Sequence, residues 1–252
     1  MNTTTTRAIA RTIDHAVLKP EATLDDVRKA CAMARRLGII TVCVRPSDIP
    51  VAAEALAGSE TLVSTVIGFP HGTTSTAAKV AETRQAFADG AREVDMVLNV
   101  GRLLSGDDAY VERDIRAVAE EAHRNGGLLK VIFETFFLDD ARKKTACVLS
   151  TRAGADFVKT STGFAGGGAT IPDLDLMRRE SGAKLGVKAS GGVRDLDAAL
   201  AAISVGATRI GTSSTEGILK EAAEREAAGT LVVPTREETL AKQEAIKATK
   251  AY

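Results

Sequence analysis

Two rhythms of apolar and polar positions alternate along the chain. Short β-branched or apolar runs recur at 12–18, 39–44, 62–69, 93–100, 128–135, 156–161, 184–190 and 208–213, and all eight read as strands. Between them the apolar residues fall at helical spacing. In "TLDDVRKACAMARRLG", residues 23–38, Leu24, Val27, Cys31, Ala34 and Leu37 lie near one face. Thr23 and Asp26 have the spacing of a capping box, although Asp is not the usual partner, and Gly38 is a stop signal. "STAAKVAETRQAFADG" and "DLDAALAAISVG" have the same form, each ending at a glycine. "AYVERDIRAVAEEAHRNGG" and "DDARKKTACVLSTRAG" continue the alternation. Residues 46–58 predict a short, proline-limited helix, and "TREETLAKQEAIKATKAY", residues 235–252, an extra C-terminal helix with a short mobile tail.

Eight strands alternating with helices imply parallel pairing through right-handed crossovers. The strand count and the length of 252 residues point to the α/β class, with a single (β/α)8 TIM barrel spanning 1–252. An open doubly wound sheet is disfavoured, because no glycine-rich dinucleotide fingerprint follows the first strand. Residues 1–8 are expected to fray.

Within this pattern two strands end alike. "KTSTG" begins at Lys159 and "KASGG" at Lys188, at the ends of the sixth and seventh runs. Strands adjacent in a parallel barrel lie about 4.8 Å apart, so two lysines at one height bring their amines into one pocket. Parity puts Lys159 with Ser161 and Lys188 with Ser190, against the more apolar faces carrying Val158 and Val187. On the fourth run the same argument turns Asp95 inward and Val94, Met96 and Leu98 outward.

Two ammoniums in one partly desolvated pocket repel, so one becomes a neutral amine near neutral pH. A neutral lysine attacks carbonyls and forms a Schiff base, while Asp95 retains the other lysine as a cation and the pair moves protons. That constellation suits an aldolase using an imine as its electron sink. The competing interpretation is an ion-pair network without chemistry, since a lone lysine at a strand end is more often snorkelling or salt-bridged.

The loops after the last strands, "STGFAGGGAT", "SGGVRD" and "GTSSTEG", are rich in glycine. Gly191 and Gly192 let backbone approach an anion closely, Ser213 and Ser214 offer hydroxyls and amides where the next helix starts, and Arg194 adds charge or merely faces solvent. Cys43 shares a strand face with Thr41 and Arg45, either lining the pocket or serving as a small buried hydrophobe.

Composition excludes more than it assigns. With 44% hydrophobic and 26% charged residues, and Lys+Arg and Asp+Glu equal at 33 each, no global field favours nucleic acid or an anionic membrane. Cys31, Cys43 and Cys147 are odd in number and widely spaced, which fits a reducing compartment. The N-terminus has no apolar core of a leader, so a cytoplasmic location is expected. His15, His71 and His123 form no paired ligand motif, so no metal site is expected.

The segments "TIDHAVLKPEAT", "VCVRP", "VIGFPHG", "EVDMVLNVG", "ADFVKTSTGF", "GVKASGG" and "RIGTSS", in this order from about Thr12 to Ser214, resemble deoxyribose-phosphate aldolases. The resemblance implies a cofactor-independent class I aldolase on a (β/α)8 barrel. It would cleave 2-deoxy-D-ribose 5-phosphate reversibly to D-glyceraldehyde 3-phosphate and acetaldehyde. It implies Lys159 as the Schiff-base lysine, Lys188 as the group that lowers its neighbour's pKa and relays protons, and Asp95 as general acid/base. Asp14 would support Lys188 or a substrate hydroxyl. The phosphate would rest on the backbone of Gly163, Gly191, Gly192 and Gly211 with Ser213 and Ser214. Partners would be the small phosphosugar and aldehyde, and the assembly a homo-oligomer, commonly a dimer. Two departures stand out. Ala16 replaces a hydroxyl usual near Asp14, and Phe164 supplies no cation for phosphate, which shifts that role toward backbone amides and Arg194. Tyr252 could fold over the mouth and assist proton transfer, although a frayed end is the simpler state.

Two alternatives remain open on sequence alone: another imine-forming phosphosugar lyase or transaldolase-like barrel, and a non-catalytic phosphosugar-binding barrel. Only the second predicts no covalent adduct.

Overall fold

In the computed structural model, which describes residues 2–250, the strand-forming runs hydrogen-bond to one another in chain order. They are β1 (Ile13–Val17), β2 (Thr41–Val44), β3 (Leu62–Ile67), β4 (Glu93–Val97), β5 (Leu128–Ile132), β6 (Phe157–Lys159), β7 (Gly186–Ser190) and β8 (Arg209–Thr212). All pairings are parallel, and β8 returns to β1, closing an eight-stranded barrel with helices in the crossovers. The strands are shorter than the apolar runs: β3, β4 and β5 leave the ladder early at their C-terminal ends, β2 and β7 join it late, and β1, β6 and β8 lose residues at both ends.

The register decides what meets what. Asp95 lies opposite Lys130, Lys159 opposite Lys188, Lys188 opposite Arg209, and Asp14 opposite Gly211. Alternation sends the apolar partners the other way. Val94, Met96, Leu129, Val131, Val158, Val187, Ala189 and Ile210 are all buried in the layer between strands and helices. Fully burying an aliphatic side chain of this size contributes about 1.5–3 kcal/mol. That apolar layer therefore fixes the parity that turns charged residues toward the barrel axis.

Local signals place the helices. Helix Leu24–Leu37 starts at a complete capping box: the Asp26 amide donates to the Thr23 hydroxyl (3.2 Å) and the Thr23 amide to the Asp26 carboxylate (2.8 Å). Asp thus performs the task usual for Glu. Gly38 and Gly154 end their helices in the left-handed region, with φ 64° and 83°. The proline-limited segment is a 3₁₀ turn at Pro46–Asp48 running into helix Ile49–Ala55. Helix Ile171–Ser181, which the apolar pattern does not reveal, is capped by the Thr170 hydroxyl and carries Pro172 in its first turn. Its start follows a glycine-rich loop, and the glycines obscure the pattern.

Buried ion pairs tie the helix layer together. Lys79 of helix Thr76–Ala88 contacts Asp114 of helix Asp108–Arg124 at 2.5 Å and donates to the Val97 carbonyl at 3.0 Å. The C-terminal helix Arg236–Lys250 is anchored by Arg236, which donates to both Asp175 oxygens at 2.6 and 3.0 Å. The N-terminal residues expected to fray are placed as a short antiparallel pairing of Asn2–Thr3 with Val232–Val233, followed by helix Thr6–Ala10. Ile9 and Ala10 bury their side chains, which gives this start an apolar anchor. Tyr252 lies outside the described residues. Among the described residues no helix is long and apolar enough to cross a membrane.

Candidate active site

The barrel axis carries an unusual concentration of charge. Asp14, Glu93, Asp95, Lys130, Lys159, Lys188 and Arg209 all bury their side chains there. Burial of an ion costs several kcal/mol unless it is paired, so the contacts among them are the reason the arrangement persists. Asp95 is central. Its Oδ2 accepts from Lys159 Nζ at 2.8 Å and from Lys188 Nζ at 2.7 Å, and its Oδ1 accepts from Lys130 Nζ at 2.8 Å. Lys130 also contacts Glu93 at 2.5 Å, and Arg209 Nη2 donates to Glu93 at 2.7 Å. Arg209 Nε donates to Asp14 Oδ1 at 2.9 Å, and Asp14 Oδ2 lies 2.5 Å from Lys188 Nζ. The Thr41 hydroxyl donates to Asp14 at 2.8 Å, and the Ser64 hydroxyl to Thr41 at 3.2 Å.

Protonation states follow from these contacts. For Asp95, burial alone would raise the pKa, but Lys130, Lys159 and Lys188 overcome it and hold the carboxyl well below its usual range. Asp14 is lowered in the same way, burial being outweighed by Lys188, Lys130 and Arg209. For Lys188, burial is outweighed by Asp14 and Asp95, and its pKa is raised. Lys159 alone among the lysines here is lowered. Burial is the largest cause, Asp95 opposes it, and Lys188 adds to it. Desolvation therefore leads and the second lysine assists, the reverse of the emphasis drawn from the repeated "K-x-S-x-G" phrase.

Above this floor opens a cavity of about 550 Å³ at the C-terminal ends of the strands. Asp14, Cys43, Lys159, Lys188, Gly163, Gly191, Gly192, Arg194, Gly211 and Ser213 all line it. Asp95 lies beneath, fully buried, and reaches the cavity through the two lysines. Ser214 faces a neighbouring groove with His15 and Asp26 instead, and its amide donates to the Thr212 hydroxyl at 2.9 Å. Arg194 lines the cavity from an exposed position. Ala16 lines the wall beside Asp14, so the missing hydroxyl is missing from the cavity itself. Phe164 meets Phe69 edge to face at 5.2 Å between ring centres. Burial pushes the Cys43 thiol up, which leaves it protonated at neutral pH and a poor nucleophile.

The glycines of the rim have a geometric reason. Gly191 has φ 85°, and a Cβ there would stand 2.9 Å from the Gly168 Cα. The Ala169 amide donates to the carbonyls of Ser190 (3.1 Å) and Gly191 (2.9 Å), so the loops after β6 and β7 interlock backbone to backbone. Glu134, at the end of β5, adopts φ 53° and buries its carboxylate, whose Oε2 accepts from the Thr162 amide at 3.1 Å and from the Thr162 hydroxyl. That carboxylate holds the loop carrying Gly163.

Sequence reasoning missed Lys130, Glu93, Arg209 and Glu134. Lys130 gave the same signal as Lys159, an ammonium inside the apolar strand "LLKVI". Glu93 shares strand parity with Asp95. Arg209 and Glu134, at the edges of their runs, carried no comparable signal.

A family model for DeoC/LacD family aldolases matches residues 8–220. The chain belongs to the DeoC/LacD family of aldolases. This aldolase is 54% identical over 215 residues to deoxyribose-phosphate aldolase 1 of Bacillus licheniformis, covering 85% of this chain and 96% of that one. It is 51% identical over 208 residues to the deoxyribose-phosphate aldolase of Thermococcus gammatolerans, covering 82% and 92%. Among solved structures it matches an aldolase termed QR15, with TM-score 0.83 and 37% identity over 87% of this chain and 98% of that one. It also matches the deoxyribose phosphate aldolase of Aeropyrum pernix, described as a tetramer, with TM-score 0.81 and 32% identity over 86% and 92%.

Proposed function

We propose that this aldolase cleaves 2-deoxy-D-ribose 5-phosphate reversibly to D-glyceraldehyde 3-phosphate and acetaldehyde through a Schiff base on Lys159. The observation that carries the reading is the shared Asp95 oxygen. It holds two lysines of opposite pKa behaviour on the floor of a cavity whose rim is glycine backbone.

Lys159, poised as a free amine, attacks the C1 aldehyde of the open-chain sugar. Loss of water leaves an iminium cation beside the ionised Asp95, and the low-dielectric floor strengthens that attraction. Asp95, directly or through a water, accepts the C3 hydroxyl proton while the C2–C3 bond breaks. The electron pair moves into the iminium, giving the enamine of acetaldehyde and releasing glyceraldehyde 3-phosphate. Lys188, kept cationic by Asp14 and Asp95, supplies the proton that turns the enamine back to an iminium and regains it from Asp95, which holds the C3 hydroxyl proton 2.7 Å away. Hydrolysis then frees Lys159. The phosphate rests on the backbone of Gly163, Gly191, Gly192 and Gly211 with Ser213, and Arg194 contributes charge from the rim. The chain acts as a homo-oligomer, a dimer by family resemblance, which light scattering would read.

The test is borohydride trapping with acetaldehyde or deoxyribose 5-phosphate, followed by peptide mapping. A stable mass increase on the peptide bearing Lys159 is expected, with cleavage abolished in Lys159→Ala. Absence of an adduct under turnover conditions would overturn the reading.

A further inference from the structure

The buried charges form a closed circuit. Going round it, Asp95 contacts Lys130, Lys130 contacts Glu93, Glu93 contacts Arg209, Arg209 contacts Asp14, Asp14 contacts Lys188, and Lys188 returns to Asp95. Three carboxylates alternate with three cations, so the ring is electrically neutral. Lys159 is attached to it at one point only, the Asp95 oxygen already shared with Lys188. We infer that Lys130, Glu93 and Arg209 are positioning residues whose charges complete this ring and leave Lys159 as the one base without a counter-ion of its own. The inference rests on the Schiff-base reading of Lys159 and explains how the amine is kept free.

Lys159 itself meets Asp95, with Lys188 and Cys43 near it, and the buried polar floor that these groups belong to is drawn from the whole barrel. β1 contributes Asp14, β4 Glu93 and Asp95, β5 Lys130, β7 Lys188 and β8 Arg209. β2 adds Cys43, whose burial-raised thiol brings no charge at neutral pH, and Thr41; β3 adds Ser64. With every ring carboxylate matched by a ring cation, a proton on Lys159 would be a buried charge with no counter-ion of its own, and it is the one given up. The low pKa direction of Lys159 and the raised direction of Lys130 and Lys188 agree with this division. Lys188 is then one of three ring cations rather than a unique modulator.

Charge parity makes predictions of opposite sign. In Lys130→Met, three carboxylates face two ring cations, Lys159 keeps its proton as the third, and the pH midpoint of imine trapping with acetaldehyde rises by about one unit or more. In Glu93→Gln the ring already has excess positive charge, Lys159 stays neutral to lower pH, and the midpoint falls. The double variant restores parity and returns the midpoint toward that of the parent, while Lys130→Arg keeps the charge and leaves the midpoint in place. The readout is the rate of borohydride-trapped adduct on Lys159 against pH, with circular dichroism confirming fold. Should Lys130→Met not fold, Glu93→Gln against the double variant carries the same comparison. Single variants that both shift in one direction, or do not shift, overturn the ring. An adduct on Lys159 at high pH with an unmoved midpoint sinks the ring alone, whereas no adduct at any pH sinks the Schiff-base reading.

Discussion

Replacing Lys188 by leucine tests the electrostatics of the site most directly. The two nitrogens are held by one Asp95 oxygen at 2.8 and 2.7 Å, so they stand no more than about 5.5 Å apart. At an effective permittivity of about 20, two unit charges at that distance repel by about 3 kcal/mol, worth about two pKa units. Removing Lys188 also frees part of Asp14 and Asp95 to stabilise an ammonium at Lys159, which acts in the same direction. Lys159 needs its free amine, so a raised pKa moves imine formation to higher pH. Lys188→Leu is therefore expected to shift the rising limb of acetaldehyde trapping on Lys159 upward by about two pH units. It should also slow turnover at neutral pH by about 100-fold in the imine-forming step. The protein should lose stability too, since breaking a buried pair costs about 3–5 kcal/mol, so trapping is measured below the thermal transition recorded by circular dichroism. A pH profile that does not move, or that moves downward, would refute the role given to Lys188.

Three further outcomes test other links. Gly191→Ala forces φ 85° on an L-residue against the Gly168 backbone, a strain of about 1–2 kcal/mol, and should raise KM for the phosphorylated substrate while sparing acetaldehyde trapping on Lys159. Equal loss in both assays would contradict a phosphate role for that loop. Lys79→Met leaves Asp114 buried without its cation and should cost about 3–5 kcal/mol in urea unfolding, with the trapping pH midpoint unchanged; Lys79→Met combined with Asp114→Leu should recover much of that loss. His15, whose Nδ1 lies 2.8 Å from the Thr215 hydroxyl, is pushed down to about 4 by burial. The unfolded chain therefore binds its proton first, so stability is complete above about pH 6.5 and declines between there and pH 4, by at most about 3 kcal/mol. His15→Gln should flatten that part of the urea-unfolding profile, and an unaltered slope would exclude His15 as its source.

The period-2 and period-3.6 patterns defined the strands and most helices, because burial of an apolar face is a local, repeating requirement. The parity of "DFVKTS", "GVKAS" and "EVDMV" was enough to bring Lys159, Lys188 and Asp95 to one side of the sheet, since alternation admits only two faces. Helix Ile171–Ser181 is hidden in the sequence because three glycines precede it and its apolar stripe is interrupted by Asp173 and Asp175, which find cationic partners on other helices. Ser213 and Ser214 are adjacent in the chain and both line the neighbouring groove, but at the turn into the next helix only Ser213 also reaches the main cavity.

The sequence by itself determined the barrel and the inward-facing lysines, because pattern and strand parity are properties of neighbouring residues. Only the tertiary structure decided which charge each ion meets. The ring joins residues from β1, β4, β5, β7 and β8, up to 195 positions apart, and its neutrality depends on register across strands and on burial together. A chain read in one dimension shows four bases and three acids scattered along its length. Closed into a barrel, three acids and three bases alternate in a ring, and Lys159 meets only the Asp95 oxygen that Lys188 already shares.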